Sequence, residues 1–268
     1  MSSPMLDSAA RSMTLEVFLV ATALITLAGT ALGAELDATQ VRTLLAAAPD
    51  GQGANLAGKD LSQIDLSGVN FKGADLSGAN LFGTKLVGAN LAHANLSGAN
   101  LDAAWLMRAD FSNADLSNAS LFAPVIYPGL NVSPADAPNF TGANLSGARV
   151  IARLTGVNLR GAKMTGARMG VDLKNQPMGQ MRNDFSGADL SGADLSGADV
   201  NRAVLSFAKL AGAKLVGTNL SRADLAGADL TGADLTGADL DGAILKDTKG
   251  LGSVKGLDQA RNRDKARF

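Results

Sequence analysis

The side chains best suited to chemistry are sparse in this chain. It has one histidine, His93, and no cysteine. Thiolate nucleophiles, thiolate metal sites, disulfides and multi-histidine metal centres are therefore excluded. A Ser-His-Asp relay would have to run through His93. That residue stands where glycine stands in most neighbouring segments, which predicts an exposed, solitary imidazole. No GxSxG, GxxxxGK[ST] or EF-hand pattern occurs. Gly250-Leu251-Gly252 lacks the spacing of a dinucleotide-binding turn. The aspartates invite a paired-carboxylate mechanism or a Ca²⁺ site. Their spacing accounts for them better, because they recur at one place in a five-residue period and read as the solvated flanks of a corner. No enzymatic activity, cofactor or metal is expected.

That period is the dominant feature from Ala54 onward. A clean unit is Ala233-Asp234-Leu235-Thr236-Gly237. Counted by central apolar residue, 14 units run from Leu56 to Leu121, three centre on Phe140, Leu145 and Val150, four on Leu154, Leu159, Met164 and Met169, and 13 run from Phe185 to Leu245. All 34 centres are apolar, Ala stands two before the centre in 26, and Gly two after it in 21. Leu residues five apart make no stripe on an α-helix. On one continuous strand an odd period would flip each successive Leu to the opposite face. The pattern works only if the chain turns once per unit, with Ala and Leu inside and the polar-Gly pair at the corner. Ordering five residues costs roughly 5–10 kcal/mol, whereas burying one Leu returns about 1.5–3 kcal/mol. Isolated units cannot fold, so the balance must come from stacked neighbours.

These runs of A(D/N)LxG resemble the pentapeptide repeat family over about residues 54–245. The resemblance implies an all-β fold, a right-handed quadrilateral β-helix with four units per coil and about 4.8 Å between coils. The family shares no single activity. One subgroup resembles B-DNA in shape and charge, binds DNA gyrase, protects it from quinolones and dimerises through C-terminal ends. With four units per coil, Asp189, Lys209 and Asp229 should stack in one column, and Asp194, Lys214 and Asp234 in another. Alternating signs would then help to set coil register.

Lys plus Arg total 24 against 25 Asp plus Glu, so neither a basic nucleic-acid binder nor a strongly acidic mimic is expected of the whole chain. The distribution is uneven. Residues 138–182 hold one acid and seven bases, and residues 183–245 hold nine acids and four bases. In the basic middle, Arg149, Arg153, Lys163 and Arg168 precede their centres and should ring the rod, which argues against a one-sided nucleic-acid stripe. The array is interrupted at 124–138, which has four prolines, and at 170–182. Both are expected to bulge as loops, because proline cannot donate to a ladder. Loops on a rigid scaffold are candidate binding surfaces, with Tyr127, Met178 and Met181 as apolar anchors. Trp105, one before its centre, should be exposed and is a further contact candidate.

The ends read differently. Residues 17–32 (VFLVATALITLAGTAL) are uncharged. That is short for a membrane span and suits a secretory signal. Ala31-Leu32-Gly33 offers cleavage near Gly33 or Ala34, although Asp7, Arg11 and Glu16 leave the flank without positive excess. An uncleaved anchor is the alternative, and with it the one expected membrane contact. Periplasmic or secreted location is thus expected for residues 34–268. Asp37 or Thr39 can cap a helix whose Val41, Leu44, Leu45 and Ala48 share a face, so 34–53 reads as an N-terminal helical cap. Residues 246–268 form a basic tail, with 257–268 helix-compatible behind Asp258. The tail is expected to be a helical cap or a homodimer contact. The chain reads as a non-enzymatic exported scaffold for a protein partner, the alternative being a gyrase-binding DNA mimic.

Overall fold

The computed structural model describes residues 34–48, 53–127, 133–171 and 182–268. The signal-like segment, Met178 and Met181 lie outside them. From Asn55 onward the chain winds as a quadrilateral β-helix in which each residue before a centre bridges, in parallel, to its counterpart one coil later. The step is 20 residues in the first and last runs, as in Asn55 to Asp75 and Asp184 to Val204. Where bridging extends to three residues it forms β1 (Ser120–Phe122) and β2 (Arg149–Ile151), paired in parallel. Leu76, Leu96 and Leu116 are all fully buried, each following a residue of the Asp75–Asn95–Asp115 column.

One unit shows why five residues suffice. The N–H of Asp75 reaches Ala54 O at 2.9 Å, that of Leu76 reaches Asn95 O at 2.7 Å, and that of Gly78 reaches Ser97 O at 2.8 Å. The Ala79 N–H closes the turn on Leu76 O at 3.0 Å. The remaining donor, Ser77 N–H, bonds Asp75 Oδ1 at 3.0 Å. Every backbone N–H of the unit is thereby paired, three between coils and two within the corner. The corner needs a left-handed residue. Gly78 has φ of 63° and His93 takes the same conformation at 59°, at a cost of about 1–2 kcal/mol for a residue with a Cβ.

The array is longer than the pentapeptide pattern suggests. Pro124 and Pro138 stand where Ala stands in other units. An N–H there closes only its own turn, as Ala79 does, and makes no ladder bond, so proline is accepted. Val125 bridges Trp105 and Ile126 is buried in the core. The segment expected to bulge from 124 therefore stays in the coil through Tyr127 and rejoins it before Asn139, which bridges Asp110. Short insertions absorb the slips, with bridge steps of 29, 19 and 31 residues at Asp110–Asn139, Asn139–Asn158 and Arg153–Asp184. Phe111 and Phe140 stack across the first of these, centroids 4.8 Å apart.

At the start, α1 (Ala38–Ala47) is capped by Asp37 in a reciprocal pair with Gln40. Val41 is fully buried, and Leu36, Leu44 and Leu45 pack against the core. Glu35 ties this entry to the first coil through its N–H to Asp60 O and an ion pair with Lys59 at 2.6 Å. At the other end the helix expected over 257–268 does not form. The tail winds one further coil with six-residue steps, Lys249, Lys255, Arg261 and Arg267 bridging Asp229, Asp234, Asp239 and Ile244. Two 3₁₀ turns, Leu251–Ser253 and Arg263–Lys265, take up extra residues. A helix would have left the N–H groups of Leu235, Leu240 and Leu245 without the carbonyls of Lys255, Arg261 and Arg267 that they bond at 2.6–2.9 Å.

Candidate binding faces

The outward residue before each centre has a defined task. As Asp or Asn it accepts the N–H two residues on, as Asp115 does from Ser117 at 2.9 Å and Asn144 from Ser146 at 3.2 Å. As Asn it also donates to the coil before it, Asn144 Nδ2 to Asp115 Oδ1 at 2.9 Å. The aspartates are therefore committed to holding corners. Hydrogen bonds from Ser67 and Thr231 hold Asp65 and Asp229 below the ordinary carboxylate pKa. Among the described residues no three His, Asp or Glu side chains converge as a metal site.

Every outward residue that is neither Asp nor Asn forfeits that bond, so the exceptions are informative. The bridges sort them into four faces. The first carries Asn144, Lys163, Asp194, Lys214 and Asp234, and the second Ser120, Arg149, Arg168 and Asp199. The fourth carries Asp189, Lys209, Asp229 and Lys249. The two expected charge columns are thus formed, and Lys209–Asp189 and Lys214–Asp194 pair at 3.8 and 3.6 Å. Apolar outward residues, among the described ones, occur only on the third face. They are Trp105 and Val125, then Val204 and Ile244 beyond Arg153 and Asp184.

The two exposed corner rings lie beside the third face, whereas Val216, 37% exposed, lies at the corner after the first. Phe82 is 41% exposed on one side and Phe207 72% on the other, with Trp105 at 40% between their rows. The Phe207 ring lies over Gly227, where a Cβ would meet it at 2.6 Å. Cations accompany the rings. Lys85 Nζ is 5.9 Å from the Trp105 centroid and 3.9 Å from Asp65, and Arg149 Cζ sits 4.6 Å from the Phe122 centroid.

The residues expected to make contacts are not all brought together. Arg149 and Arg168 are neighbours on the second face, Lys163 stands on the first and Arg153 on the third. Trp105 is part of the apolar face. Tyr127 is not an exposed anchor. It is buried, its hydroxyl donates to Thr155 O, and burial pushes its phenol pKa up against the opposing charge of Arg153. Sequence reasoning missed Phe82, Phe122 and Phe207, which a count of apolar residues column by column would have found. It also missed Asn183, a buried side chain in an Ala position. Asn183 donates to Val150 O and Met169 O at 2.6 and 2.5 Å and accepts from Ala152 N–H at 2.8 Å, pinning the coil where the longest insertion rejoins.

A family model described as pentapeptide repeats matches residues 52–83, 84–121, 184–222 and 208–247. No curated protein matches the sequence significantly. Among solved structures, the chain is similar to HetL, a pentapeptide repeat protein involved in heterocyst differentiation regulation in the cyanobacterium Nostoc sp. strain PCC 7120. The identity is 30%, over 87% of this chain and 94% of that one, with a TM-score of 0.38. It is similar to full-length QnrB1, a plasmid-mediated fluoroquinolone resistance protein, at 20% identity, 78% and 92% coverage and a TM-score of 0.31. It is also similar to the pentapeptide repeat protein Rfr23 of the cyanobacterium Cyanothece 51142, at 23% identity, 69% and 90% coverage and a TM-score of 0.23.

Proposed function

The chain belongs to the pentapeptide repeat family, and we propose that it is a non-enzymatic scaffold that binds a protein partner through the third face of its β-helix. The observation that carries this reading is the confinement of outward apolar residues to one face of four, with Phe82, Trp105 and Phe207 exposed on it or at its corners. Each such residue gives up a corner hydrogen bond that Asp or Asn would make, and exposed apolar patches mark contact surfaces. The polar repeat residues are occupied in turns and ladders, which supports a binding rather than a catalytic role. Export through residues 1–33, cleaved or retained as an anchor, and a right-handed winding belong to the same proposal.

Site-specific photocrosslinking in intact cells tests it. A photoreactive residue at Trp105 should yield a discrete protein adduct, and the same residue at Asn95, on the first face, should not. Equal labelling from both positions would sink the reading. A gyrase-binding DNA mimic needs a strongly negative surface. Among the bridged residues no two aspartates are neighbours in a column, and residues 34–268 hold 23 bases and 23 acids. Purified protein is expected to leave gyrase supercoiling unchanged at micromolar concentration.

A further inference from the structure

The outward columns obey a charge rule. Each aspartate is bridged to Asn, Lys, Arg or an apolar residue, and Lys209, Lys214 and Lys249 are bridged to acids. Among the described residues one bridged pair breaks the rule, Arg149 with Arg168. Like charges directly opposite on neighbouring strands destabilise the pair. Both residues also forfeit the corner bond. Arg168 has one opposite charge beside it, its other bridged neighbour Asp199. The Asp199 Oδ1, however, accepts from Asn201 N–H, Asn201 Nδ2 and Asn219 Nδ2, and Arg168 forms no ion pair among the described residues. Its side chain is exposed, as is that of Lys163 in the preceding unit of the same coil. A like-charge pair in columns that otherwise avoid one breaks a local rule of the fold, and such breaks mark functional positions.

Deepening the scaffold reading, on which this inference rests, we propose that Arg149 and Arg168, flanked by Lys163 and Arg153, bind an acidic segment of the protein partner. Arg149 and Arg168 leave the backbone one coil apart, about 4.8 Å, and their long side chains present two sets of paired donors to the same-side carboxylates of an extended peptide, about 6.6 Å apart. Arg149 already lies on the Phe122 ring at 4.6 Å, so one guanidinium is oriented before the partner arrives, and Phe122 leads toward the apolar third face. Charge complementarity names the occupant. Residues 138–182 hold seven bases and one acid; Asp184, Asp194 and Asp199 of the next coil face Arg153, Lys163 and Arg168, whereas Arg149 faces no acid, so an acidic segment is drawn to the Arg149 end of this group. The bases lie on three faces, which suits a short peptide crossing a corner better than a nucleic-acid strand tracking one stripe.

Fluorescence anisotropy with the full chain tests this. The probes are a labelled twelve-residue peptide alternating Glu and Leu, its Gln counterpart, and a labelled twelve-nucleotide single-stranded DNA. The Glu peptide should bind, weaken with added salt, and weaken about tenfold with Arg168→Asn or Arg149→Asn. Lys214→Asn, at a base paired to Asp194 on the first face, should leave binding unchanged. Arg168→Asn should keep or raise the melting temperature, because it relieves repulsion and restores a corner acceptor. A fall in melting temperature would make Arg168 structural and overturn the proposal. So would no binding of the Glu peptide, equal binding of the Gln peptide, binding by both Arg variants as tight as by the unsubstituted protein, or tighter binding of the DNA. Retention of the Trp105 adduct in intact cells alongside any of these would overturn this inference alone and leave the scaffold reading standing.

Discussion

At the residue scale the carboxylates are corner posts. Asp115 accepts from Ser117 N–H and Asn144 Nδ2, both at 2.9 Å. Asp115→Asn keeps an acceptor and should change stability little. Asp115→Ala removes it and should cost about 1 kcal/mol, read as a shift in urea midpoint. The same bonds set the pH dependence. Asp229 and Asp234 have pKa values below the ordinary 3.8, held down by Thr231 and Thr236 and by Lys249 and Lys255. A depressed folded-state pKa contributes stability that is complete above the unfolded value and lost as pH falls through the folded one. Thermal stability should therefore be flat at neutral pH and fall steadily below about pH 4. A decline beginning near pH 6 would point to another group. Asn183 is the costlier single position. Asn183→Ala strands the buried Ala152 N–H and deprives the Val150 and Met169 carbonyls of a donor, for a loss of about 2–4 kcal/mol. The inward Leu and Ala were legible because the period repeats them. Asn183 was not, because it breaks the period at the edge of an insertion whose length no local rule sets.

At the scale of elements, α1 was legible in its capping residue and its apolar spacing. Asp37→Ala removes the acceptor for the Thr39 and Gln40 N–H groups, both at 2.8 Å, and should cost about 1 kcal/mol with loss of helical circular dichroism. The charge columns were legible for a similar reason, since a fixed coil length turns sequence spacing into adjacency. Pro124 misled because the rule against proline in ladders applies to residues whose N–H enters the ladder, and this position in the unit does not. The 257–268 tail misled because helix-compatible composition is a weaker signal than the unpaired carbonyls and N–H groups of the coil beneath it. The third face was illegible for another reason. Its four apolar residues are scattered over 140 positions (Trp105, Val125, Val204 and Ile244), and they gather only once the irregular bridge steps of 29, 19 and 31 residues are known.

For the whole molecule, the end of the rod decides whether copies stay apart. A β-helix that simply stops presents a sheet edge that invites another. The last coil carries a base on each of its four faces, Lys249, Lys255, Arg261 and Arg267. Each of the first three lies over an aspartate of the coil beneath, and Arg261 and Asp239 approach to 3.9 Å. A head-on pair of such ends would bring two positive rings together at strand spacing, where repulsion is least screened. The ring therefore acts against the end-to-end dimer that the tail's position invites, and the protein should remain monomeric at moderate salt. Replacing Lys255, Arg261 and Arg267 together by Gln keeps polar side chains and removes the repulsion. Light scattering should then show a mass that rises with concentration, and added salt should move the unmodified protein in the same direction by screening. If the unmodified protein is already dimeric and the triple variant monomeric, the ring is an interface and this account of the end is wrong.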